Sequence, residues 1–326
     1  MRCRQRGCLC QTAGMAALDR PTLLLDSASL YYRSFHALPE SMTAPDGRPH
    51  TAVRGFLGTL TRLVDDHSPA TVLPCWDEDW RPEWRVSLIP GYKAHRVAEE
   101  SDDGHAEAEP ESLTDQAIAI AELLTTAGIG PVGVEGYEAD DVIASIAAQS
   151  TRPVVAVSGD RDLVQVVRIL VRLLLTVNGG MEKWPLLDET AVRERFGVSP
   201  DRYVDLAVLR GDPSDGLPGV PGIGAKTAVS MVTAFEDLDG ILLAARERPA
   251  DRPMTPRLAA AILDNADLIA RARTVATAVP DLSIDMDRAG ADEGAFRQLA
   301  ISWGVERQAL GLWSALQRHD IGGLSG

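Results

Sequence analysis

Pro153-Val-Val-Ala-Val-Ser-Gly-Asp-Arg-Asp162 is the stretch that decides the fold class of this 326-residue chain. Its apolar opening, PVVAV, is too short and too rich in valine to make a helix. It reads as a buried strand running into a turn that carries Asp160 and Asp162. The same pattern occurs twice upstream. Thr22–Leu25 (TLLL) ends on Asp26, and Ala70–Cys75 (ATVLPC) leads through Trp76 to Asp77. Helical periodicity occupies Thr51–Val64, Leu113–Ala127 and Ala139–Ala148. Strands alternating with helices predict an α/β fold, a mostly parallel central sheet with helices on both faces. Sites in such sheets form beyond the carboxyl ends of the strands, so Asp26, Asp77 and Asp160 belong to one neighbourhood.

Gly136-Tyr-Glu-Ala-Asp-Asp141 brings Glu138, Asp140 and Asp141 to the start of the helix VIASIAA. One acid in a first helical turn needs to be no more than a cap or a dipole partner. Three in four residues exceed that need. Of the pair after the third strand, Asp160 is expected to point inward. Crowded carboxylates repel one another unless a cation neutralises them, and hard oxygen donors select Mg²⁺ or Mn²⁺ over zinc.

The whole-chain charge points the other way. Lys and Arg number 32 against 47 Asp and Glu, a formal net charge of −15, which on its face argues against a polyanionic partner. The excess is local: net zero over residues 1–100, −10 over 101–200 and −5 over 201–326. Glu99–Asp115 alone holds eight acids and no Lys or Arg, the composition of a solvated, mobile loop. No apolar run reaches the ~20 residues that span a bilayer. Residues 1–18 carry Cys3, Cys8 and Cys10 but no apolar secretory segment, and read as a disordered extension. Without a disulfide framework the default compartment is the cytoplasm.

From about residue 181 the character changes. Leu187–Phe196 and Arg202–Leu209 read as helices, followed by GDPSDGLPGVPGIGAKTA over 211–228. Gly219, Gly222 and Gly224 permit close backbone approach, and the helix opening behind them offers free N–H groups to a phosphate. Val220 and Ile223 between the glycines, with Lys226 and Thr227 at the helix start, complete a helix-hairpin-helix pattern that reads nucleic-acid backbone without regard to sequence. Arg257–Ala272 and Glu293–Leu316 read as further helices.

GYEADD (136–141), GDRDLVQ (159–165), the 211–228 stretch and Tyr92-Lys-Ala-His-Arg96 resemble the motifs of the bacterial 5′-nuclease family. That family comprises the 5′–3′ exonuclease domain of DNA polymerase I and the stand-alone flap endonucleases. The likeness runs from about Thr22 to about Gly290. It implies a PIN-like nuclease domain over 19–183 with an arch near 80–115, a helix-hairpin-helix domain over 184–290 and a helical tail over 291–326. It also implies two or three divalent ions, Mg²⁺ or Mn²⁺, on Asp26, Asp77, Glu138, Asp140, Asp141, Asp160, Asp162, Asp212 and Asp215, and K⁺ at the hairpin. Glu138, Asp140, Asp141 and Asp160 would be innermost, with Asp162, Asp212 and Asp215 forming the second site. Lys93 and Arg96, one helical turn apart on the arch and joined by Arg85, would be catalytic residues that orient the phosphate. Tyr32 and Arg33 would touch DNA. Trp76, Trp80 and Trp84 are expected to pack under the arch, with base stacking as their alternative role.

The implied activity is metal-dependent 5′–3′ exonuclease and flap endonuclease cleavage of DNA carrying flaps, nicks or RNA primers. The setting would be primer removal and repair, in a cytoplasmic, nucleoid-associated monomer coupled to a DNA polymerase and a ligase. The alternative is a catalytically weakened relative that binds flaps without efficient cleavage. Departures from the family pattern are Leu25-Asp-Ser-Ala-Ser29 in place of Val-Asp-Gly-Ser, Ala225 in place of Pro, and Gly216 in place of Asn. Setting aside the nine candidate ligands and the eight acids of Glu99–Asp115 leaves a net charge of +2, so the acidity does not exclude DNA.

Overall fold

The computed structural model describes residues 20–39, 41–97 and 110–322. The expected N-terminal extension and most of the Glu99–Asp115 run lie outside them. The three expected strands form as β1 (Thr22–Asp26), β2 (Thr71–Cys75) and β3 (Val154–Ser158), joined by β4 (Val171–Leu175) and β5 (Leu186–Leu187). The sheet order is β2-β1-β3-β4-β5, parallel throughout except for the β4–β5 pair. The chain moves from β1 outward to β2, then crosses back to place β3 on the other side of β1. A sheet opens a crevice where its winding reverses in this way. Asp26 closes β1 and Asp160 follows β3, so both stand at its mouth.

Strand alternation sorts the core into two layers. Leu23 and Leu25 share a cluster with Val72, Val155 and Val157, whereas Leu24 lies with Leu73, Ala156 and Leu173. The first layer is covered by α1 (Ser27–Ala37) and α2 (Thr51–His67), and by α4 (Glu111–Thr126), which follows the short α3 (Glu83–Leu88). The second is covered by α5 (Ala139–Gln149) and by a helical array of α6 (Glu189–Phe196), α7 (Tyr203–Arg210), α8 (Ala225–Phe235), α9 (Leu238–Glu247), α10 (Pro256–Asp264) and α11 (Ala266–Ala276).

The segment read as one helix over Arg257–Ala272 is two, α10 and α11, parted at Asn265. Glu293–Leu316 likewise divides into α12 (Glu293–Ser302) and α13 (Glu306–Arg318). Gly304 turns the chain between them at φ +62°. These last helices pack back onto α2 and α4 and supply Phe296, Leu312 and Leu316 to the first core layer. Arg318 Nη2 meets Asp65 at 2.6 Å, and Arg20 Nη2 donates to the His319 carbonyl at 2.5 Å. Among the described residues Cys75 is a buried free thiol, and no helix is long and apolar enough to cross a membrane.

Candidate active site

Short local rules deliver each carboxylate to the crevice. Asp26 is the N-cap of α1: its Oδ1 accepts the Ser29 N–H at 3.0 Å, and its Oδ2 accepts the Ser158 hydroxyl. Burial, then the charges of Asp77 and Asp160, push its pKa up to about 7. Asp77, just past β2, accepts the Ala139 N–H at 2.7 Å and so ties that strand to the start of α5. Asp160 accepts the Asp162 N–H at 2.7 Å, a local turn that keeps both acids of the GDRD motif at the crevice.

The cluster resists ionisation. Asp140 is held well above the usual carboxylate range by burial and then by Asp160 and Asp26. Asp162 is held there by burial and then by Asp160, Asp215 and Asp212. Burial also raises Asp215, with the Lys93 ammonium working against it. Asp162 Oδ1 and Asp215 Oδ1 are buried without a hydrogen bond, and Arg96 Nη2 stands 3.6 Å from the latter. Orphaned carboxylate oxygens among mutually repelling acids have the donor chemistry of a hard divalent cation. Among the described residues no three His, Cys, Asp or Glu side chains close into a ready-made ion cage, so these donors are neighbours without being preassembled.

Three other expected ligands are already engaged. Glu138 accepts from Lys93 Nζ, from Arg85 Nη1 and, at 2.7 Å, from the Tyr92 hydroxyl. Asp141 is fully buried and accepts from Arg85 Nη1 and Nη2 at 2.8 and 2.7 Å and from the Val279 N–H at 2.9 Å. Asp212 accepts from Arg210 Nη2 at 3.1 Å and from the Ser214 N–H at 3.0 Å. Satisfied on both oxygens, Glu138, Asp141 and Asp212 brace the wall of the crevice in this state.

The basic residues differ from expectation in a related way. Arg85 is 3% exposed, and its Nε donates to the Val275 carbonyl at 3.1 Å. With Nη1 and Nη2 on Glu138 and Asp141, it locks α3 to α5 and α11 in this state. A planar guanidinium meets carboxylates two bonds at a time and neutralises them in a low-dielectric interior, which is why it was drawn inside. Lys93 sits in the left-handed region at φ +48° and caps a single 3₁₀ turn, Ala94–Arg96. It therefore does not share an α-helical face with Arg96. Its backbone N–H donates to the Asp215 carbonyl at 3.0 Å, and Arg96 donates to the Ser214 carbonyl at 3.0 Å, so this segment is fastened to the hairpin side. Gly216 is what permits that closeness. It has φ +67°, and a Cβ there would stand 2.2 Å from the Gly91 carbonyl oxygen, so the Asn usual in the family would collide.

Arg33 donates to the carbonyls of Val177 and Gly179, the latter at 2.9 Å, and stacks on Trp184; it holds the loop after β4. Tyr32 is exposed on α1 beside the His36 ring. In the hairpin, Val220 and Ile223 are buried and anchor the turn in the core, leaving Gly222, Gly224 and Lys226 outermost and Thr227 half-buried. Gly219 is crowded: a Cβ there would lie 2.4 Å from the Arg210 carbonyl. Trp84 packs with Tyr137 and under Arg85, Trp76 pairs with Tyr31, and the Trp80 carbonyl accepts from Lys93 Nζ at 3.4 Å. Sequence reasoning passed over Tyr92, Ser158 and Arg210 as carboxylate partners. Each stood inside or beside a quoted motif, and a polar donor abutting an acid-rich motif was the available signal.

Two family models match the chain: the 5′–3′ exonuclease N-terminal resolvase-like domain over residues 21–197, and the 5′–3′ exonuclease C-terminal SAM fold over residues 198–295. The chain belongs to the 5′–3′ exonuclease family. A 5′–3′ exonuclease of Streptomyces coelicolor is 47% identical over 87% of this chain and 96% of its own length. One of Mycobacterium tuberculosis is 45% identical over 91% and 98%. In architecture the chain is similar to a bacteriophage T5 flap endonuclease solved as a pseudo-enzyme–product complex with DNA and metal ions, with a TM-score of 0.59 and 17% identity over 92% of this chain and all of that one. The 5′–3′ exonuclease relatives make this chain a nuclease, and the T5 likeness extends to the fold.

Proposed function

We propose that this nuclease hydrolyses phosphodiester bonds near the 5′ end of branched or nicked DNA, with two Mg²⁺ or Mn²⁺ ions at the crevice. The observation that carries the reading is the set of mutually repelling acids beyond the sheet, two of whose buried oxygens lack partners. Asp26, Asp140 and Asp160 would hold one ion, and Asp162 with Asp215 the second. Asp77, Glu138, Asp141 and Asp212 would fix the frame around them. Such ions, when bound, supply Lewis acidity toward the attacking and leaving oxygens of an in-line displacement. Lys93, paired with Glu138, and Arg96, beside Asp215, would offset charge developing on the phosphate. Exposed Lys226 and the free N–H groups opening α8 would grip a phosphate of the duplex, reading shape and not sequence. The metal ions and DNA held by the similarly folded T5 flap endonuclease support this reading. The same reading makes the protein a monomer acting in primer removal and repair beside a polymerase and a ligase, with K⁺ at the hairpin and the nucleoid as its place of work.

The test is cleavage of a labelled 5′-flap duplex and a nicked duplex with Mg²⁺, Mn²⁺ and Co²⁺. Cleavage one or a few nucleotides from the junction, abolished in Asp140→Asn with Asp160→Asn, is expected. A wild-type protein that leaves both substrates intact, or a double variant as active as wild type, overturns the reading.

A further inference from the structure

Among the described residues Tyr203, the first of α7, is the largest side chain that is fully buried. Its ring is clamped. The Phe196 ring meets it edge-on, with centroids 5.1 Å apart at 79°, and Leu163, Val164 and Leu206 belong to the same core cluster. Its hydroxyl nonetheless has no hydrogen-bond partner. A buried hydroxyl left unbonded forfeits the bonds that it makes to water, and phenylalanine would fill the same space without that penalty. Packing therefore explains the ring and not the oxygen.

The hydroxyl lies toward the second acid of the GDRD motif. Asp162 opens a 3₁₀ turn, Asp162–Val166, that packs against α7. After burial, the Asp162 charge acts on the Tyr203 hydroxyl more strongly than any other, ahead of Arg210 and Arg161, and the pKa is pushed up to about 12. The hydroxyl thus keeps its proton and is a donor. Asp162 is fixed from its backbone: its N–H donates to Asp160 at 2.7 Å, and its carbonyl accepts from Gln165 Nε2 at 2.8 Å. Its carboxylate Oδ1, however, is buried and unbonded. Arg210 is committed to Asp212 through Nη2 and to the Gly211 carbonyl through Nε. A donor without an acceptor and an acceptor without a donor therefore stand across one packed interface. We propose that the Tyr203 hydroxyl donates to the Asp162 carboxylate and is a positioning residue for the second ion, leaving the other Asp162 oxygen for the metal. Carboxylates that bind metal are themselves held by hydrogen bonds, and loss of such a partner lowers affinity by about 10–100-fold. The proposal rests on the two-ion nuclease reading above. It adds that a ligand within the matched N-terminal domain is oriented by a side chain from the C-terminal one.

Tyr203→Phe removes the oxygen and keeps the ring. Mn²⁺ binding to the full chain, followed through the electron paramagnetic resonance signal of the free ion, should show one ion held about tenfold more weakly in the variant and the other as in wild type. In the Asp162→Asn background, Tyr203→Phe should change ion affinity no further, because the oxygen acts through that carboxylate. The ion-free variant should melt at or above wild type, since it loses an unbonded buried hydroxyl and no contact. Half-maximal nick cleavage should need about tenfold more Mn²⁺, with the rate at saturation close to wild type. The proposal is overturned if Tyr203→Phe binds both ions as wild type does, weakens both alike, or weakens binding equally with and without Asp162. It is overturned too if the ion-free variant melts well below wild type, because the hydroxyl would then have a partner of its own. A wild type that binds no Mn²⁺ fails the two-ion reading itself. Two ions bound alike by wild type and Tyr203→Phe fail only the role given to Tyr203.

Discussion

Replacing Arg85 with Met separates a scaffold role from a substrate role. Arg85 makes two bonds to Asp141, one to Glu138 and one to the Val275 carbonyl, at 3% exposure. Methionine fills much of the same space but leaves buried Asp141 without its cation and Glu138 without one of its two. Glu138 keeps Lys93 and Tyr92, and Asp141 keeps the Val279 N–H, so the loss is partly cushioned. Breaking a buried ion pair from one side costs about 3–5 kcal/mol, a large share of the ~5–15 kcal/mol that holds a typical domain together. At roughly 2–4 °C per kcal/mol for a chain of this class, Arg85→Met should melt about 6–20 °C below wild type. Arg85→Lys, a point charge without the fork, should fall between them. Circular dichroism melts supply the stability. Nick-cleavage rates, taken well below both transitions, supply the activity. The reasoning is refuted if Arg85→Met melts within about 2 °C of wild type while kcat collapses, because that pattern belongs to a residue that meets the phosphate.

Three further outcomes are expected. Asp205 on α7 is buried, with Oδ2 unbonded and Arg202 Nη1 3.8 Å away, and burial pushes its pKa up to about 6. The fold thus favours its neutral form, so its contribution is complete below the ordinary value of 3.8 and is lost as pH rises through about 6. Asp205→Asn should flatten the stability decline between pH 4 and 7 by up to roughly 3 kcal/mol, and parallel pH–melting curves for the two proteins would count against this. Adding Mn²⁺ or Mg²⁺ at pH 7.5 should raise the melting temperature, by about 2.7 kcal/mol of stability at a hundredfold excess over Kd. That gain should vanish in Asp160→Asn with Asp162→Asn, and chelation should end cleavage. In the hairpin, Ile223→Ala should cost ~2–5 kcal/mol. Lys226→Ala should melt like wild type yet bind duplex more weakly, with its salt slope reduced by about one; equal melting losses in the two variants would contradict the division of labour.

How far the sequence carried these assignments depended on whether the signal was local. TLLL, ATVLPC and PVVAV are apolar runs ended by turn residues, and each folded as the strand they suggest. VRLLL is as apolar, but it continues VQVVRIL without a break, so strand and helix periodicities overlap there. The two residues of β5 are too few to carry a period. Asn265 interrupts a helix for one residue and barely shifts the apolar phase on either side. The acids were legible because they recur at strand ends. Their separation into unpaired and braced groups was not, since Arg85 meets Asp141 across 56 residues and Ser158 meets Asp26 across 132. Val220 and Ile223 followed the hairpin pattern, but only packing reveals that they face inward.

The return of α12 and α13 onto α2 and α4 bears on how the protein is made. Arg318 closes on Asp65 from 253 residues further along the chain. A ribosome adding 5–20 residues per second needs roughly 13–50 s to cover that span. Throughout that interval α2 is on hand without α13, the helix that packs along its side carrying Thr61 and Asp65. The first core layer is thus completed only by helices that follow the hairpin region in the chain. A nascent chain stalled before residue 293 would leave uncovered the first-layer surface that Phe296, Leu312 and Leu316 complete against α2 and α4.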